Sequence, residues 1–178
     1  MATFSGTMSI SAPLYALISG NDSSVAEYLT ANYQSVIPLL NWAIADGYKI
    51  VRKLQTATTS TQTYDMQSIT GDGDVAATSF TSVVAIMCFP LTAHSSGMGV
   101  QINPKDGTTG LLAPWGSAYS ATSYDTAYGP NASYKNLSAP VVKFNPAGWS
   151  IAAGTKDINF DPVHASTAIS WVAIFIGR

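Results

Sequence analysis

Val83-Val84-Ala85-Ile86-Met87-Cys88-Phe89 is the apolar centre of a segment spanning residues 75–91. The run is unbroken, with neither the alternation of a half-buried strand nor the spacing of an amphipathic helix. It reads as a strand covered on both faces, stopped by Pro90. Residues 168–176 close the chain as a buried terminal strand, Ala168-Ile169-Ser170-Trp171-Val172-Ala173-Ile174-Phe175-Ile176. Such buried strands need partners, so shorter strands are expected around them.

The pattern supplies several. Residues 48–54 read as a strand, and the Thr- and Ser-rich residues 55–69 extend or pair with it. Gly71-Asp72-Gly73-Asp74 is a turn. Residues 99–103 alternate and are closed by Pro104-Lys105-Asp106-Gly107. Residues 140–144 are bounded by prolines, which suits a strand start or a sheet edge. Residues 157–160 form another short strand, and residues 113–138 form long loops with room for one more. The helical signals lie in residues 11–47. Pro13 sits at the first turn of a short helix, Leu14 to Ser19, closed by Gly20, and Ser24 with Glu27 makes a capping box. Val25, Leu29, Tyr33 and Val36 then fall on one helical face, and a second short helix runs from Pro38 to Asp46. No repeat or linker interrupts the chain, so residues 1–178 read as one mainly β domain. Its expected form is an antiparallel β-sandwich of jelly-roll type, with an N-terminal helical layer packed against a sheet.

Composition narrows the function. Charged residues make up 10% of the chain, against about 25% in an ordinary soluble domain. Only Glu27 among the acids is a glutamate. The polar surface therefore comes from Ser, Thr, Asn, Gln and Tyr, and such a surface repels its own copies weakly. The net charge of −2 argues against binding nucleic acid through phosphates. Cys88 is the sole cysteine, so an internal disulfide is excluded and a buried, inert thiol is expected. No apolar stretch reaches the length of a membrane span, and no secretion signal is visible at residues 1–6, so the sequons at Asn21, Asn131 and Asn136 read as chance matches.

The residues for catalysis are few. His94 and His164 are the only histidines, and neither belongs to a metal-binding pair. No G-x-S-x-G elbow or phosphate loop is present, so an enzyme is the least expected class and no cofactor is implied. Asp72 and Asp74 offer two carboxylates in one turn. Calcium would suit them if carbonyls or a neighbouring subunit completed its six to eight oxygens. Aspartates in turns are also common for conformational reasons alone. Lys49, Arg52 and Lys53 form the one basic cluster, which strand alternation splits between two faces. Trp115, Tyr119, Tyr124, Tyr128 and Tyr134 lie among Ser, Gly and Asn, the palette of adaptable glycan- or receptor-binding loops, and also of residues that plug a sandwich end.

Ser79-Phe80-Thr81-Ser82-Val83-Val84-Ala85-Ile86, Gly99-Val100-Gln101-Ile102-Asn103-Pro104, Leu137-Ser138-Ala139-Pro140-Val141-Val142-Lys143-Phe144 and residues 166–176 resemble barrel strands of the jelly-roll coat proteins of small icosahedral RNA viruses, of tymovirus and satellite-virus kind. The resemblance implies self-assembly into a closed shell and location in a virion, with itself as the principal partner. The chain carries no basic N-terminal arm, and a helical segment ahead of the barrel departs from that pattern. A lectin-like or fibre-tip binding module, extracellular or cytoplasmic, is the alternative expectation. A pore-forming toxin of sandwich-plus-helix type is the third.

Overall fold

A computed structural model of the chain describes residues 48–92, 99–105, 109–116, 124–129, 140–163 and 167–178. The helical segment expected over residues 11–47 lies outside them. The described chain forms eight strands: β1 (Lys49–Thr58), β2 (Gln62–Asp65), β3 (Ser82–Pro90), β4 (Gly99–Pro104), β5 (Asp125–Tyr128), β6 (Val141–Ser150), β7 (Asp157–Val163) and β8 (Ile169–Gly177). They assemble as two four-stranded antiparallel sheets, ordered β1-β8-β3-β6 and β2-β7-β4-β5. The fold is a mainly β, two-sheet sandwich.

The pairing has a simple logic. β1 pairs β8, β2 pairs β7, β3 pairs β6 and β4 pairs β5. The chain is thus one long antiparallel ribbon that doubles back between β4 and β5. Further pairings, β3 with β8 and β4 with β7, roll that ribbon into two sheets.

Alternation along the central strands sorts their side chains between two layers. Ile86 and Cys88 of β3, with Trp171 and Phe175 of β8, enter the core between the sheets and meet Ile102 and Phe160 from the other side. Met87, Phe89, Val172 and Ile174 point the opposite way, into a second apolar cluster on the outer face of the first sheet. The two runs that opened the sequence reading are therefore neighbours, each covered on both faces. Cys88 is free and buried, and burial pushes its thiol well above the ordinary range.

Some boundaries differ from expectation. Residues 75–81 are not part of the central strand: Val75 is fully exposed, and β3 begins only at Ser82. The chain uses that length to travel from the rim of β1 to the middle of the sheet. Residues 55–58 extend β1 as expected, but the residues after them do not pair with it: β2 crosses to the second sheet and pairs β7. β6 continues past Pro146, because its register jumps from Phe144 opposite Ala85 to Trp149 opposite Val83. The intervening residues leave the ladder in an excursion closed by Asn145 Nδ2 donating to the Gly148 carbonyl at 3.0 Å, with Gly148 at φ 80°. An edge strand tolerates this, and β6 is one. Pro162 lies in β7 beyond the end of β2, where no neighbour needs its missing N–H.

Tyr64 sits in the core, with ring centroids 5.0 Å from Phe160 and 5.4 Å from Phe175. Its hydroxyl and the Trp171 Nε1 are both buried without a hydrogen-bond partner. Burial drives the phenol pKa far above its usual value. The neutral phenol is favoured in the folded state, so the unfolded chain ionises first as pH rises. Stability then falls above about pH 10, by up to about 1.4 kcal/mol per pH unit from this one group. Tyr64→Phe is expected to match or exceed the parent in stability at neutral pH, because it removes an unpaired buried hydroxyl. Urea denaturation at pH 8 and pH 11 should show a smaller alkaline loss in Tyr64→Phe than in the parent; equal losses would contradict this account.

Candidate functional site

The Asp72–Asp74 turn lies against the free edge of β1. The Asp72 backbone N–H donates to the Arg52 carbonyl at 2.9 Å, and its carboxylate accepts from the Leu54 backbone N–H. One residue thereby occupies one donor and one acceptor that the edge strand would offer to another strand. Lys53 adds an ion pair at 3.7 Å to the other carboxylate oxygen. Asp74 turns inward on its own loop, accepting from the Gly71 N–H at 3.0 Å. A side chain at Gly71 would collide with that carboxylate, which accounts for glycine there. Both carboxylates that were candidates for calcium thus have partners within the chain. Among the described residues no three His, Cys, Asp or Glu side chains converge as metal ligands. His94 and His164 lie outside the described residues.

The basic cluster is split as alternation requires. Val51 is in the core, while Lys49 on the same face reaches past the rim to the Ser79 carbonyl at 2.8 Å. Lys49 and Lys53 therefore tether the β2–β3 connection.

The loop aromatics divide as well. Trp115 lies where the ribbon doubles back and packs against the core. Its Nε1 donates to Asp125 at 2.6 Å, and Lys143 stands 5.1 Å from its ring centre. Lys143 also pairs with Asp125 at 2.7 Å. Asp125 opens β5 in one sheet and Lys143 belongs to β6 in the other, so this triangle latches the open end of the sandwich. Tyr124 and Tyr128, at the two ends of β5, are exposed at 42% and 37%. Among the described residues they are the exposed tyrosines of this region, whereas the indole N–H and one ring face of Trp115 are engaged. Tyr119 and Tyr134 lie outside the described residues. An open apolar depression beside the latch is lined by Leu111, Leu112, Ala113 and Trp149.

The outer face of the second sheet was not anticipated as a surface. Thr63 donates to Asn159 at 2.7 Å, Asn103 donates to Asp161 at 3.1 Å, and the Thr61 hydroxyl also reaches Asp161. Further along, Asp65 stands opposite Asp157 across the β2–β7 pair; Lys156 binds the first and Lys105 the second. This face is a polar ladder in which two of its carboxylates are ion-paired and Asp161 is held by neutral donors. The alternating Thr, Asn and Asp of β2 and β7 carried the signal, but only the strand pairing sets them side by side.

No family model matches the sequence, and no curated protein matches it. Among solved structures, the X-ray structure of tomato aspermy virus aligns over 79% of this chain and 82% of that chain, with 10% sequence identity and a TM-score of 0.39. That is a weak likeness of overall form.

Two outcomes follow for these residues. Asp72→Ala is expected to cost about 1–3 kcal/mol by uncovering the edge amide, and by the same amount with calcium as with chelator. Thermal melts in both buffers check this, and a loss seen only with calcium would assign the turn to the cation. For the latch, Lys143→Met and Asp125→Asn in a double-mutant cycle should show a coupling of about 0.5–1 kcal/mol by denaturation.

Proposed function

We propose that this chain is a non-catalytic, self-assembling structural protein, the subunit of a closed shell of the viral-coat kind, built on a jelly roll and located in the virion. The strand order supports the jelly roll, since a rolled antiparallel ribbon of eight strands in two four-stranded sheets is that architecture. The same architecture also serves lectins and cupins, so the step from fold to shell is made by analogy and needs a property of the surface.

That property carries the reading. All six acidic residues in the described chain, Asp65, Asp72, Asp74, Asp125, Asp157 and Asp161, are bonded to other groups of the same molecule. Five of the lysines likewise have partners within the chain. Among the described residues four of these aspartates are ion-paired, while Asp74 and Asp161 accept from neutral donors. Two copies approaching one another meet little net repulsion, and few unpaired ions must be stripped of water.

Light scattering coupled to size-exclusion chromatography, followed by negative-stain electron microscopy, tests this directly. Uniform closed particles or regular arrays are the expected result. A monomer persisting at tens of micromolar, within the micromolar–millimolar range where weak association appears, would overturn it. A glycan array with Tyr124→Ala as the first variant would then be the next experiment.

A further inference from the structure

The outer face of the first sheet is apolar across all four strands. Met87 and Phe89 of β3, Val172 and Ile174 of β8, Leu54 of β1 and Phe144 of β6 belong to it. Phe89 and Val172 are 0% exposed. The second sheet lies on the opposite side and covers only the inner set. Leaving each large member in water would cost about 1.5–3 kcal/mol, and a contiguous face of this size is not left bare on a soluble monomer.

We propose that this face seats the chain's own N-terminal segment, residues 24–46, docked as a helical layer. The connection favours it. Tyr48 packs at the margin of the cluster and leads directly into β1, the edge strand of this sheet. The preceding residues thus reach the face without crossing the sandwich. The dimensions agree: four strands at about 4.8 Å spacing span roughly 15–19 Å, and a helix over residues 24–36 is about 20 Å long. The pattern agrees too, because Val25, Leu29, Tyr33 and Val36 make one apolar helical face behind the Ser24–Glu27 capping box. Residues 1–47 contain no lysine or arginine, so nothing in them draws the segment to an anionic membrane instead. This inference concerns one molecule and stands whether or not the chain assembles.

Two neighbouring residues of β3 provide the test in the full-length chain. Position 87 faces the proposed layer, while Cys88 faces the inner core. In Met87→Cys, both thiols should react slowly with a maleimide. Adding Leu29→Asp should accelerate the introduced thiol at least about tenfold while Cys88 stays slow, as expected when one layer opens locally. Gln34→Glu, on the opposite side of the same helix, should change neither rate. Rapid labelling at position 87 in the parent, or no acceleration with Leu29→Asp, would overturn the proposal. Protection that disappears on dilution would also overturn it, since a second copy would then be the cover. If Leu29→Asp frees both thiols together, the milder Leu29→Asn decides: joint release there too would mean that no separable layer exists.

Discussion

The structure depends on a pair of strands with no wet side. β3 and β8 lie next to each other in the first sheet, and nearly every side chain of both is buried. Apolar area on both faces must be removed from water, so a two-layer sandwich can satisfy only half of the demand. The second sheet supplies the inner cover, and its own outer face is free to be polar. The outer face of the first sheet is not. This asymmetry between one hydrogen-bonded ladder face and one apolar face gives the molecule a distinct front and back, which a symmetric two-layer sandwich lacks.

Rolling the ribbon leaves edges at β1, β6, β2 and β5, and three different devices protect them. Asp72 occupies the edge of β1 with its own backbone and carboxylate. β6 bends out of its ladder around Pro146. β2 and β5 have only four residues each, too short to template a further strand. These devices discourage edge-to-edge growth, the open-ended association that produces fibres. A subunit meant to close into a finite shell needs that protection, because its contacts must use faces and loops of fixed geometry rather than an extendable ladder.

Much of the fold was legible because burial on two faces leaves an unbroken apolar run, and β3 declared itself in that way, while β8 read as a buried terminal strand. Proline context likewise placed β6 at an edge. Sheet membership was not legible, since β1 pairs with β8 across almost the whole described chain and nothing local encodes that partnership. The length of β3 was overestimated because Val75, Ala76 and Ala77 are apolar, yet they belong to the connection that carries Asp72 to the rim. At the candidate site, residue types were visible but not their roles. Asp72 reads as a turn aspartate until Leu54 and Arg52 are seen beside it. Trp115 reads either as a binding aromatic or as a plug of the sandwich end until Asp125 and Lys143 take its N–H and its ring face, and its packing against the core favours the plug.

The commitment of charge inside the chain has a consequence for how a shell of such subunits would hold together. Lys53, Lys105, Lys143 and Lys156 each face a carboxylate of the same molecule, and Arg178 lies 4.6 Å from the Tyr48 ring centre, donating to its hydroxyl at 2.7 Å. Cations engaged in this manner are poorly placed to neutralise phosphates, and releasing one would leave its carboxylate unpaired. In the proposed shell, condensation around a nucleic acid, driven by counterion release and weakened steeply by salt, would then contribute little. Closure would rest instead on contact between subunits, through hydroxyls, amides and aromatic area such as Tyr124 and Tyr128. Interactions of that kind are short in range and weakly screened, so geometry, rather than long-range attraction, would select the correct neighbour.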